Sequence, residues 1–409
     1  MKAGRYAWVA VGLLWVVACL NYVDRQVIFS VFPLIGRELK LSDFELGLLS
    51  TVFLWVYGVA SPLGGYFADR VGRKKALVLS LGIWTTVTLA TGFASNFGEL
   101  LAARAAMGLS EACYLPAALA LIAELHGEDT RSLATGIHQS GLYGGMALGG
   151  VVGGWMGERQ GWRAPFVVLG VAGLVYAVVL VTGLRGDAGV RHGESGHAGA
   201  MVGAVREVMG LRGLGWMLAA FTGFSAANWV VYTWMPSYIY ERFPVSLAAA
   251  GFSATFYLQA ASFAGILAGG WMADRWSRRS KKGRAWTQAI GLAAAAPFLF
   301  LVGVAGTVAV LVAGLVAFGV GKGLYDASTM PVLAQVARPE LRATGYGLFN
   351  LAGCVAGGVM AAGAGALKPA MGLAGAIEVS AVLLVGSAWA LWRVGSVVAE
   401  GGGENGATA

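Results

Sequence analysis

Apolar residues in this chain fall in a dozen runs of roughly 20, enough helix to cross about 30 Å of hydrocarbon, separated by polar stretches. The runs predict helices over 7–35, 43–69, 75–96, 98–124, 131–158, 164–184, 214–242, 248–274, 284–304, 307–336, 341–368 and 373–396. Most connections are short. One is long, 185–213, and carries Arg185, Asp187, Arg191, His192, Glu194, His197, Arg206 and Arg212; it divides the spans into six plus six. The pattern predicts an all-α membrane protein of twelve transmembrane helices in two six-helix bundles, 1–184 and 214–398. A linker over 185–213 joins them and a disordered tail over 399–409 follows. The apolar run after Lys2 and Arg5 continues past residue 30 without a small-residue cleavage site, so it is expected to be a retained first span, not a signal peptide.

Composition supports this reading. Of the 409 residues, 57% are hydrophobic and 12% charged, with a mean hydropathy of +0.68. Soluble domains carry about twice that charged fraction. A soluble fold would need a dozen helices with almost no polar face. The net charge of +8 would suggest nucleic acid in a soluble protein, but here the basic residues lie in loops, and no nucleic-acid partner is expected. About 20 of the 29 Lys and Arg fall on the side of the termini and the linker; Arg37, Lys40, Arg159, Arg163, Arg242 and Lys368 fall on the other. That asymmetry predicts cytoplasmic termini, a cytoplasmic linker and residence in the cell (cytoplasmic, inner) membrane. Cys19, Cys113 and Cys354 sit inside apolar runs and suggest neither a disulfide nor a zinc site. The sequence contains no phosphate loop, no H-E-x-x-H and no nucleophile elbow. An enzyme, a metal, a cofactor and ATP drive are therefore not expected. An ion gradient is the expected energy source, and the chain is expected to act as a monomer among membrane lipids.

One segment repeats. Gly64-Gly65-Tyr66-Phe67-Ala68-Asp69-Arg70 recurs as Gly269-Gly270-Trp271-Met272-Ala273-Asp274-Arg275. Each copy closes the second span of its half and leads into a basic loop, the layout of two parallel, pseudo-symmetric halves. Continued by Val71-Gly72-Arg73-Lys74-Lys75, the first copy resembles the G-x-x-x-D-R-x-G-R-[KR] loop of the major facilitator superfamily. The chain resembles that superfamily over nearly its whole length. The resemblance implies the major facilitator fold, transport by alternating access, and a gating latch made by Gly64, Asp69, Arg70, Gly72 and Arg73 with Asp274 and Arg275 of the second copy. In such a latch the Asp69 carboxylate meets a helix N-terminus from the other half, with arginines fixing it. The plainer reading is a positive-inside loop; the repeated acid favours the latch.

Within the superfamily, four passages resemble the anion:cation symporters, which include sugar-acid carriers and sialin-like organic-anion transporters. They are Asn21-Tyr22-Val23-Asp24-Arg25; Arg104 to Ala112 with Pro116; Asn228-Trp229 with Tyr232 to Tyr238; and Gly345 to Gly353. The first two also resemble the Spinster-type lysolipid and sphingolipid transporters. The last two favour the anion carriers.

Ionisable residues inside spans are costly and mark function by default. Asp24 and Arg25 diverge by about 100° on their helix, so each must meet another helix or a cavity. Arg104, Gly108 and Glu111 share a helix face, with the two charges about 10 Å apart. A network of Asp24, Arg25, Arg104 and Glu111 is expected. A guanidinium suits a carboxylate ligand, and a carboxylate in a semi-dry cavity can take and release a proton. The resemblance implies Arg25 for the substrate's acid group, Asp24 and Glu111 as proton carriers, and Arg104 tuning Glu111. A purely structural ion-pair lock is the competing reading. Lys322 and Asp326 share a face at i, i+4, beside Tyr325 and Ser328. In the sugar-acid carriers this stretch supplies hydroxyl groups to the substrate, so Asp326 is a departure; a self-neutralising pair and a substrate contact both remain open. Tyr22, Tyr57 and Asn350 are further candidates for the substrate path, with His138, Gln139, Tyr143, Asn228, Tyr232 and Gln259 weaker. Trp8, Trp55, Trp155, Trp162 and Trp271 lie near span ends as interface anchors. The glycines of 144–154 are expected to pack on Gly265, Gly269 and Gly270. The expected function is proton-coupled symport of a small organic anion, a carboxylate or sugar acid. A Spinster-like lipid transporter or multidrug exporter is the alternative, and a non-transporting receptor is disfavoured by the latch and the charged core.

Overall fold

The computed structural model describes residues 4–185 and 198–404, and every regular element among them is a helix. The first half of the chain forms α1 (Arg5–Ser30), α2 (Phe32–Leu39), α3 (Asp43–Val71), α4 (Arg73–Thr91), α5 (Phe97–Glu111), α6 (Tyr114–Leu125), α7 (Glu128–Gln160) and α8 (Arg163–Gly183). Then follow α9 (Ala198–Met209), α10 (Leu214–Arg242), α11 (Leu247–Ser277), α12 (Gly283–Val304), α13 (Val308–Asp326), α14 (Thr329–Val336) and α15 (Pro339–Glu404). Among the described residues nine stretches are long and apolar enough to cross a membrane; the last, 54 residues long, holds two crossings. They are separated by Pro369 and by Gly372, whose φ of 68° turns the chain. Two helices complete the expected twelve: α4, which opens on Arg73, Lys74 and Lys75, and glycine-rich α7.

Local chemistry sets the helix ends. Ser42 starts α3 with a capping box: its hydroxyl accepts from Glu45 N, and the Glu45 carboxylate accepts from Ser42 N at 2.8 Å. Asn96 and Thr307 cap α5 and α13 through their side-chain oxygens. Three spans predicted as continuous are broken, at Val31, at Ala112–Cys113 and at Ala327–Ser328. Pro33, Pro116 and Pro331 follow within a turn, each lacking the N–H that would close the helix behind it.

The described residues of Met1–Ser195 together with Tyr232–Phe256 form one compact unit; those of Gly196–Val231 with Tyr257–Ala409 form the other. These units do not coincide with the chain-order halves expected from the linker. In the first unit the last turns of α10 and the first turns of α11 pack on first-half helices. The Ser50 and Thr233 hydroxyls lie 3.1 Å apart, Gln26 Nε2 reaches Tyr232 O at 3.5 Å, and Phe32 meets Trp234 edge-on at 5.7 Å. Helix α7 organises this unit with two glycine faces. Gly141, Gly145, Gly149 and Gly153, four apart, face α1, and Gly157 continues the row onto Val31 and Leu34; a Cβ on Gly153 would lie 2.8 Å from Val27 O. On the adjoining face, a Cβ on Gly150 would lie 2.5 Å from Gly251 O, and one on Gly154 would lie 2.8 Å from Ala248 Cα. Helix α7 therefore packs on α11 as expected, but on its first turns and not on Gly265, Gly269 and Gly270. Gly265 and Gly269 lie on α13 instead, against Val320, Gly323 and Leu324.

In the second unit α12 packs on α13 and α15, and α9 lies against α15. Within the expected linker over 185–213, Ala198–Met209 is thus a helix, and 186–197 lie outside the described residues. Helix α15 runs to Glu404, so 399–404, expected in the disordered tail, are helical; 405–409 lie outside the described residues. Trp55, Trp155 and Trp271 are exposed, as anchors require, but Trp162 is buried and donates to Glu38 at 2.9 Å.

Candidate functional site

Helix α1 carries the adjacent pair Asp24 and Arg25, and the turn of the helix sends them to different neighbours. Arg25 reaches α5, where its Nε donates to Glu111 Oε2 at 2.5 Å. Glu111 is fully buried and the Arg25 side chain is 11% exposed. The guanidinium carbon lies 4.9, 5.0 and 4.6 Å from the ring centres of Tyr22, Phe53 and Tyr57. Phe53 and Tyr57 sit one turn apart on α3 with stacked rings 5.9 Å apart. The cation is thus held by one carboxylate and three aromatic faces, each face worth about 0.5–2 kcal/mol depending on desolvation. Asp24 turns to α4, where Thr88 Oγ1 donates to its Oδ2 at 3.3 Å.

Arg104 is buried on α5. Its Nε donates to Leu49 O at 3.3 Å, its Nη1 lies 2.9 Å from Met107 Sδ, and its carbon lies 4.5 Å from the Phe53 ring centre. The expected four-member network therefore takes a different form. Arg25 and Glu111 make one direct ion pair. Two helical turns keep Arg104 from hydrogen-bonding Glu111, and it bonds a carbonyl and a sulfur instead. Asp24 is bonded to a hydroxyl. Asp24 Oδ1, Glu111 Oε1 and Arg104 Nη2 are buried without a hydrogen-bond partner, a costly condition. Phe53, which approaches both guanidiniums, was not singled out in the sequence, nor was Thr88. Their helical spacing from Tyr57 and from the Thr-rich face of α4 is the only signal that could have found them.

In the second unit Lys322 Nζ and Asp326 Oδ2 pair at 2.5 Å. Tyr325 is buried against Phe224, ring centres 4.2 Å apart, and Ser328 is buried at the head of α14. Asn350, on α15, has Cys354 Sγ 4.0 Å from its Oδ1. His138 is a buried histidine bonded to Tyr114 Oη at 2.8 Å.

Of the residues expected to form the latch, Gly64, Asp69, Arg70, Gly72 and Arg73 lie in α3, α4 or the turn between them, and Asp274 and Arg275 lie near the end of α11. Gly72, with φ 95°, ends one helix and opens the next, its N–H bonding Ala68 O at 3.1 Å. Arg70 lies over the Tyr66 ring at 4.7 Å. Arg73 pairs with Glu124 and donates to Ala120 O at 3.2 Å, tying the loop to α6. The Asp69 side chain lies outside the described residues, so its latch role remains an expectation. Asp274 pairs with Arg284 at 3.2 Å, and Arg275 borders a groove with Trp271, Trp276 and Arg279. Among the described residues no group of His, Cys, Asp and Glu is arranged to hold a metal ion.

Broken helices, ionisable residues inside spans and a repeated basic loop are features of membrane transporters. The family model of the Major Facilitator Superfamily matches residues 14–362, and the chain belongs to that superfamily; it is a transporter, not an enzyme. It is 26% identical over 429 residues to the D-galactonate transporter of Escherichia coli O6:H1 (strain CFT073), covering 97% of both chains. It is 31% identical over 243 residues to protein spinster of Drosophila melanogaster, covering 58% of this chain and 40% of that one. Its fold matches the solved structure of a bacterial homolog to the human lysosomal transporter Spinster, inward-facing and occupied, with a TM-score of 0.83 and 20% identity over 97% of this chain and 98% of that one.

Proposed function

We propose that this transporter carries a small organic anion, a carboxylate or sugar acid, together with a proton by alternating access across the cytoplasmic membrane. The observation that carries the reading is the buried 2.5 Å contact between Arg25 and Glu111. A substrate carboxylate offers the guanidinium the same planar, two-oxygen partner that Glu111 offers, with room for a bidentate pair. Once displaced, Glu111 is a buried charge without a cation, and uptake of a proton removes that charge. Anion and proton binding then favour one another, which is the linkage symport requires. The acid released by Arg25 in this scheme is Glu111; Asp24, bonded to Thr88, is a second proton carrier that acts apart from that exchange. Arg104 holds Phe53 and α5 in place. Tyr22 and Tyr57 frame the anion site, and Tyr325, Ser328, Asn350 and Lys322 are further substrate contacts. The near full-length similarity to a D-galactonate transporter supports a sugar acid.

A second reading has its own support. Three aromatic rings around Arg25 suit an amphipathic substrate, and the chain is similar to protein spinster over 58% of its length. Purified protein warmed with D-galactonate or with a lysophospholipid separates the two, because a ligand of the folded state raises its unfolding temperature with the logarithm of concentration over Kd. The proposal expects D-galactonate to stabilise wild type and Arg25→Lys to require about tenfold more of it, since lysine lacks the bidentate fork. Stabilisation by the lysophospholipid alone, undiminished in Arg25→Lys, would replace the anion reading with the lipid one.

A further inference from the structure

Two crossings are built alike around an acid. Helix α5 ends on Glu111 and α13 ends on Asp326. A two-residue break follows each, and the next helix has proline as its third residue, Pro116 and Pro331. The carbonyl just before each acid takes a side-chain donor from a neighbouring helix. Ser80 Oγ on α4 donates to Ser110 O at 2.6 Å, and Gln288 Nε2 on α12 donates to Tyr325 O at 2.9 Å. Against each break lies the first glycine of the repeated segment. A Cβ on Gly64 would stand 2.5 Å from Ala112 O and 2.9 Å from Cys113 Cα; one on Gly269 would stand 2.8 Å from Leu324 Cα and 3.1 Å from Ala327 Cβ. Each of these glycines sits on the helix that runs into a basic loop, a turn and a half before Asp69 or Asp274. Each acid is also paired with a cation: buried Glu111 with the largely buried Arg25 on α1, and half-buried Asp326 with buried Lys322 one turn earlier on its own helix.

We propose that Lys322–Asp326 is a second switching ion pair, the counterpart of Arg25–Glu111, and that Gly64 and Gly269 are positioning residues that pass the state of each pair to the basic loop beside it. Helix ends at these breaks lack a continuous ladder of backbone bonds, so the ion pair is a main restraint on the residue that ends the helix. Release of the pair lets the broken end shift. The glycine in backbone contact with it must follow, because close-packed interiors transmit displacement rather than absorb it. The proposal rests on the exchange at Arg25 for the first pair only; the second pair can be tested without any substrate.

The test is hydrogen exchange read by mass spectrometry on the full-length protein in lipid nanodiscs, following the loop between α11 and α12. Asp326→Asn should speed exchange of the loop amides by about tenfold, since breaking a pair whose cation is buried loosens the segment it restrains, while Asp326→Glu should match wild type. In a Gly269→Ala background the effect of Asp326→Asn on the loop should disappear. Pro331→Ala, which restores the missing N–H and closes the break, should abolish it too and serves if Gly269→Ala does not fold. Unchanged loop exchange in Asp326→Asn would make Lys322–Asp326 a self-neutralising pair with no switching role. An undiminished effect in both backgrounds would rule out the glycine contact as the link. No substrate enters the measurement, so a failure of the anion-symport reading leaves its outcome intact.

Discussion

Replacing Arg25 by Met removes the cation and leaves the Glu111 carboxylate, 0% exposed, with neither oxygen satisfied by that partner. Breaking a buried ion pair from one side costs about 3–5 kcal/mol. Replacing Glu111 by Gln is gentler. It leaves Arg25 partly exposed, with an amide oxygen nearby and three rings around it, a loss of about 1–2 kcal/mol. The difference of roughly 2–3 kcal/mol converts, at about 2–4 °C per kcal/mol, to an unfolding temperature about 4–12 °C lower for Arg25→Met than for Glu111→Gln. The pH dependence has a definite sign. Proton uptake removes the charge of the stranded carboxylate and becomes more favourable as pH falls, so the Arg25→Met deficit should shrink on acidification. The Glu111→Gln deficit, with no acid at that position, should stay level. A thiol-reactive fluorogenic dye can follow this in a thermal ramp, because Cys19 and Cys354 are buried until the fold opens. Equal losses for the two variants, or an Arg25→Met deficit indifferent to pH, would refute the claim that this pair holds a buried charge.

Two further outcomes are expected. The glycine face of α7 leaves no room for a side chain, so Gly150→Val should push α7 from the first turns of α11 and cost about 1–3 kcal/mol, seen as a lower unfolding temperature in the same ramp. A cysteine at Glu207, on α9 of the linker expected to be cytoplasmic, should resist an impermeant maleimide added to intact cells while one at Lys40 reacts; the reverse pattern would invert the topology.

Most crossings were legible in the sequence because their apolar runs are long enough to span, although basic α4, glycine-rich α7 and the turn at Gly372 depart from that simple pattern; Arg25, Arg104, Glu111, Lys322 and Asp326 were legible because a charge in such a run has no cheap explanation. The pairing was not. Which of two carboxylates meets Arg25 depends on side-chain reach across three helices, and helical spacing on α5 fixes only that Arg104 and Glu111 share a face. The breaks after Glu111 and Asp326 were marked by Pro116 and Pro331, but a proline in a membrane helix is compatible with a gentle kink as well as a break. Phe53 was hidden among many aromatic residues in apolar spans. The packing partner of Gly150 and Gly154 could not be chosen either, since several helices offer small residues and only the tertiary arrangement brings Gly251 and Ala248 to them.

The central claim is that Glu111 couples anion binding to proton movement. Its most direct measurement is uptake of radiolabelled D-galactonate by proteoliposomes with and without an imposed pH gradient. Wild type should accumulate the anion above equilibrium only when the gradient is present. Glu111→Gln, fixed as a mimic of the protonated acid, should lose accumulation while still exchanging internal for external anion. Gradient-driven accumulation by Glu111→Gln at the wild-type level would contradict the account.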